Sequence, residues 1–128
     1  MPSSSEVESM RKAAEQGLAD AQFNLGNMYA KGEGVPKDAG KGVAWYRKAA
    51  EQGLAGAQFN LGLAYAKGEG TSNDVVQAHM WFNLAGSSGY EKARENRRKV
   101  ETQMTKEQVA EAEKLAREWY EAHRGAKP

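Results

Sequence analysis

The chain has 128 residues, of which 40 % are hydrophobic and 27 % charged, with 18 Lys and Arg against 17 Asp and Glu. That composition is that of a folded, soluble chain, and its charge balance excludes the strong positive field that draws proteins to nucleic acid or an anionic membrane. Without a cysteine, disulfides, thiolate catalysis and thiolate-bound zinc are excluded together.

The opening MPSSSEVESM has neither a basic start nor a signal-like apolar run, and no window approaches the roughly 18 apolar residues of a membrane span. The expected compartment is the cytoplasm, with the periplasm or secretion left open if a leader has been removed. Residues 6–16 then read as a helix begun by the run Ser3 to Ser5 and stopped by Gly17. The next stretch, AAEQGLADAQFNLGNMYAKGEG at 13–34, returns as AAEQGLAGAQFNLGLAYAKGEG at 49–70. Laid over 49–84, residues 13–48 give 21 identities in 36 positions, so the chain is a repeat array.

In the first full unit, helix A is predicted over 19–31, with Leu18, Ala21, Leu25 and Met28 on one face and Phe23, Asn24, Asn27 and Lys31 on another. A glycine in a helix costs about 1 kcal/mol against alanine, so Gly26 and Gly62 at the same mid-helix position imply close approach of a neighbouring helix. The KGEGV stretch breaks the helix, and Asp38 caps helix B over 39–52, where Gly40 and Gly42 weaken the first turns. The second unit repeats the plan with helix A at 55–67 and helix B at 75–87, and Asp74 with Gln77 has capping-box spacing. Arg97, Arg98 and Glu101 then replace Leu61, Gly62 and Tyr65, so the third unit is degenerate. A last helix over 106–123, opened by Thr105 and Gln108 as a capping box, carries Val109, Ala112, Ala116 and Trp119 on one stripe and charge opposite. The resulting division is 6–17 as N-terminal cap, 18–53 and 54–89 as repeats, 90–123 as degenerate unit and C-terminal cap, and 124–128 as tail, within a single domain.

The motif AQFNLGxxYAKGEG, followed by Asp, then WY or WF and KAAEQG, resembles the Sel1-like repeat, a relative of the tetratricopeptide repeat. The resemblance implies an all-α fold: a right-handed α-α superhelical solenoid of helix-turn-helix repeats with a C-terminal capping helix. Helices A would line its concave surface. It further implies a non-enzymatic adaptor that binds a protein or peptide partner. By similarity to the tetratricopeptide groove, the partner-facing residues would be Phe23, Asn24, Asn27 and Lys31; Phe59, Asn60, Leu63 and Lys67; and Lys92, Glu95, Asn96 and Lys99. Asn24, Asn60 and Asn96 form a ladder at the repeat period, with amides able both to donate to and accept from an extended backbone. The competing expectation is that these Asn and Phe residues are framework, and that the protein assembles through its ends or its convex face.

Other candidates carry less. The regular spacing of Tyr29, Trp45, Tyr65 and Trp81 points to core, whereas one of Trp119 and Tyr120 would be exposed at the cap and available for weak self-association. Lys92, Arg94, Arg97, Arg98 and Lys99 alternate with glutamates as in a solvated helix, so no nucleic-acid partner is expected. His79 and His123 belong to no ligand motif, and the KGEG turns lack the ending of a phosphate loop, so no metal, cofactor or catalytic group is expected.

Overall fold

The computed structural model describes residues 2–124 and, over them, contains seven helices: α1 Ser4–Glu15, α2 Ala19–Lys31, α3 Ala39–Glu51, α4 Ala55–Lys67, α5 Val75–Ser87, α6 Glu91–Glu101 and α7 Lys106–His123. Of the stretch 124–128 read above as a tail, Arg124 is the C-cap of α7 and residues 125–128 lie outside the described residues. Helix α1 begins two residues earlier than expected because Ser3 is its N-cap: the Ser3 hydroxyl accepts from the Glu6 N–H at 3.2 Å, and the Glu6 carboxylate accepts from the Ser3 N–H at 2.7 Å. The Ser3 backbone N–H foremost, and the Ser3 hydroxyl after it, hold the Glu6 carboxyl below the ordinary glutamate range by donating to it. A carboxyl lowered on folding stabilises the folded form above its unfolded value of about 4.3 and ceases to do so as pH falls through its folded value. Acidification below about pH 4 is therefore expected to fray the first turn of α1, read as faster amide exchange at Glu6 and Val7 than at the Gln108 cap of α7.

Each repeat joint closes in the same way. The Gly17 N–H donates to Ala14 O at 3.0 Å and the Leu18 N–H to Ala13 O at 3.2 Å, with Gly17 at φ +96°, a Schellman turn that recurs at Gly53 and Gly89. Leu18 does not join the core with Ala21, Leu25 and Met28. It stands before the first helical turn in an extended conformation and is 57 % exposed. Asp38 and Asp74 cap α3 and α5 through the N–H groups of Lys41 and Gln77. Only the outgoing half of the expected capping box at Asp74 forms.

The first six helices pack each on its neighbour in the chain, and α7 turns back onto α5. Gly26 and Gly42 face each other where α2 meets α3. A Cβ on Gly26 would lie 2.7 Å from Tyr46 Cδ1 and 3.1 Å from Gly42 O, and one on Gly42 would lie 3.1 Å from Gly26 O. Gly42 is therefore a packing residue rather than only a weak point, while Gly40 meets nothing closer than Asp38 Oδ1 at 3.5 Å. Leu25, Leu61, Ala57 and Ala78 are fully buried beneath these contacts.

The unit-to-unit bonds show where the array changes character. Gln22, Gln58 and Arg94 occupy one repeat position, and each reaches back to the end of the preceding helix B: Gln22 Nε2 to Ala14 O at 3.1 Å, Gln58 Nε2 to Ala50 O at 3.2 Å, Arg94 Nε to Gly86 O at 2.9 Å. Arg11 and Arg47 likewise donate to the hydroxyls of Tyr29 and Tyr65. At the third joint Glu101 replaces the tyrosine, and its Oε2 lies 2.7 Å from Nε2 of the fully buried His79. Glu101 thus supplies a charged partner to a buried ring that the earlier joints, with Val7 and Val43 at that position, do not contain.

Candidate partner-binding face

The residues expected to meet a partner come from α2, α4 and α6, and the structure divides them into three groups. Asn24, Lys31, Lys67, Lys92, Glu95 and Lys99 are exposed; Phe23, Asn27, Asn60, Leu63 and Asn96 are half-buried; Phe59 is buried at 8 % exposure. Phe59 stacks on Tyr90 with ring centroids 5.0 Å apart and tilts against Phe82 at 5.9 Å. Its apolar ring is therefore framework between α4, α5 and the start of α6. Phe23 packs on Tyr46 at 6.1 Å and lies under Gly56, so it too contributes mainly to the joint between units.

The polar residues do not form one uniform ladder. Asn60 Nδ2 donates to Asn27 Oδ1 at 3.3 Å, bridging α4 to α2, and the Tyr46 hydroxyl donates to the same oxygen at 2.6 Å. Two donors fill the two lone pairs of that carbonyl. The Asn27 NH₂ group and the Asn60 carbonyl, a donor and an acceptor, have no protein partner among the described residues. Burial pushes the Tyr46 phenol above its ordinary value, and the Asn60 amide beside it offsets part of the rise. The phenol consequently stays a neutral O–H donor across the physiological range. Asn24 stands apart at the exposed edge, and Asn96 turns onto its own helix, donating to Lys92 O at 2.8 Å.

Tyr46 was not among the residues singled out from the sequence. Its signal was present all the same: between the two units, Tyr46 becomes Phe82 where Asn27 becomes Leu63. A hydroxyl and the amide it serves disappear together.

The aromatic residues assigned to the core lie there for Tyr29, Tyr65 and Trp81, whereas Trp45 is only half-buried, under Lys48 Nζ at 5.5 Å from its ring centre. Tyr120, not Trp119, is the exposed aromatic of the cap, at 52 %. It borders an open cleft of about 1190 Å³ between α5, α6 and α7, in which Arg97, Lys114 and Arg117 are matched by Glu113, Glu118 and Glu121. Those charges balance, and the cleft has no focused field. His123 stacks on Trp119 at 3.9 Å and, like the Trp119 indole N–H, meets Glu51 Oε1, so it is a tether for α7. Among the described residues, no three His, Asp or Glu side chains gather as a metal site would require, and no helix is long and apolar enough to cross a membrane.

A family model described as Sel1 repeat matches residues 10–18, 19–54 and 55–90. The fold is similar to that of a protective antigen present in uropathogenic Escherichia coli strains that displays an SLR fold, at a TM-score of 0.89 and 40 % identity over 98 % of this chain. It is also similar to a Sel1 repeat protein from Oxalobacter formigenes, at a TM-score of 0.71 and 40 % identity over 73 % of this chain. The chain spans only 29 % and 39 % of the length of those two proteins. No curated protein matches its sequence.

Proposed function

Because the chain belongs to the Sel1 repeat family, whose members generally mediate protein–protein interaction, we propose that it is a non-catalytic binding module that holds an extended segment of a protein partner along the helix A face of α2, α4 and α6. The observation that carries this reading is the Asn27–Asn60 pair. It spans two units, is held in place by a buried phenol, and leaves one donor and one acceptor without a protein partner among the described residues. Lys31 and Lys67, both exposed, flank it and suit a carboxylate on the same segment.

The test is capture of partners by wild type and by a variant combining Asn60→Ala with Lys67→Ala. Loss of the captured protein with helix content and thermal midpoint preserved is the expected result. Unchanged affinity in a folded variant would refute the assignment of this face. Light scattering across a wide concentration range accompanies it, since exposed Tyr120 beside the cleft at α7 favours assembly through the end of the array. A stable oligomer whose capture ignores the asparagines would move the function there.

A further inference from the structure

We infer that the helix A face is chemically graded from unit to unit, and that it selects an extended peptide carrying an apolar side chain with an acidic residue beyond it. This rests on the groove reading above and specifies its ligand. Equivalent positions of the repeat carry different side chains along the chain. Position 27 of the first unit recurs as Leu63 and Lys99, and position 20 as Gly56 and Lys92. At the first junction Asn60 finds the Asn27 carbonyl across the groove. At the second, the residue facing Asn96 from the equivalent position is Leu63, which offers no acceptor, and Asn96 bonds to Lys92 O instead. The underlying helix B residue changes with it, from the hydrogen-bonding Tyr46 to the buried Phe82.

The first junction is therefore an amide socket that reads a peptide backbone, and the second is an apolar seat. Leu63 is half-buried, packed on the main core from below and partly open above. At positions 20 and 27 of the repeat the charge rises along the chain, while Lys31 and Lys67 already give each of the first two units an exposed lysine at a further position of this face. Asp20 opens the series at the first unit, and Lys92 and Lys99 close it at the third. Glu91 is paired with Arg94 at 3.2 Å, and Glu101 lies 3.8 Å from Arg97, whereas neither Lys92 nor Lys99 enters an ion pair among the described residues. Glu95, one turn from each lysine, leaves that end with one net positive charge. Charge complementarity assigns it an acidic side chain of the peptide.

The probe is a phage-displayed library of short random peptides, selected against wild type, Leu63→Asn, Lys99→Glu and Asn60→Ala, each checked for helix content and thermal midpoint. Wild type is expected to enrich peptides with one apolar residue followed or preceded by Asp or Glu. Leu63→Asn is expected to lose the apolar preference and to bind the wild-type peptide roughly tenfold more weakly, the scale of one apolar side chain returned to water. Lys99→Glu is expected to exchange the acidic preference for a basic one. If both variants select the wild-type peptides with unchanged affinity while Asn60→Ala loses them, the grading is wrong and the groove stands. If wild type enriches no peptide, the groove reading falls and the grading falls with it.

Discussion

Trp81→Ala is expected to destabilise the protein by about 3–5 kcal/mol, a large share of the roughly 5–15 kcal/mol that holds a domain folded. Trp81 is 1 % exposed and is the seat of the C-terminal helix: its ring meets Trp119 edge-on at 5.9 Å and 71°. Helix α7 also buries Ala112 and Ala116, and its polar ties are the Trp119 indole N–H donating to Glu51 Oε1 at 2.8 Å and His123 at 3.2 Å from the same oxygen. A cavity beneath Trp119 removes dispersion contacts that these exposed bonds cannot replace, because such pairs contribute about 1 kcal/mol or less. Urea unfolding should show the loss, and native-state amide exchange should quicken in α7 before α2. A loss under about 1 kcal/mol with α7 still protected would mean that another contact seats the cap.

Gly70→Ala is expected to cost about 2–5 kcal/mol, the sum of a left-handed backbone at roughly 1–2 and overpacking at roughly 1–3. Gly70 has φ +78°, and a Cβ there would press on the Ala39 carbonyl oxygen, 2.7 Å from the carbonyl carbon and 2.8 Å from Val43 Cγ2. The obstacle is helix backbone of the preceding unit, which cannot rotate away. Gly17→Ala is the control. At φ +96° with nothing within 4 Å of its added Cβ, it carries the backbone strain alone, about 1–2 kcal/mol. Equal losses in the two variants, measured by thermal unfolding, would dispose of the packing explanation for the second glycine of the KGEG turn.

Much of this fold was legible from residues close together in the chain. The bounds of α2, α4, α5 and α7 agree with those read from periodicity and punctuation, and the Thr105–Gln108 box forms with both bonds, 2.9 and 3.0 Å. The misreadings have a common origin. Leu18 has the spacing of a core residue but precedes the helix that would have turned it inward. Gly42 reads as a helix breaker until Gly26 is seen opposite it. Phe59 shares its motif position with Phe23, yet Tyr90, supplied by the third unit, stacks over it.

The candidate face follows the same rule. Helical period placed Asn24, Asn60 and Asn96 in one column, and nothing in that period distinguishes them. Their differences come from residues on other helices: Asn27, itself held by the Tyr46 hydroxyl, accepts from Asn60, while Leu63 gives Asn96 nothing to bond. By itself the sequence determined the repeat, the helices, their caps and the family, because hydrogen-bonded turns and amphipathic periods act within one or two helical turns. Only the tertiary structure decided which repeated side chains are framework and which are free. A buried polar or aromatic group takes its role from the partner that packing brings to it, and that partner changes from one unit to the next even where the motif does not.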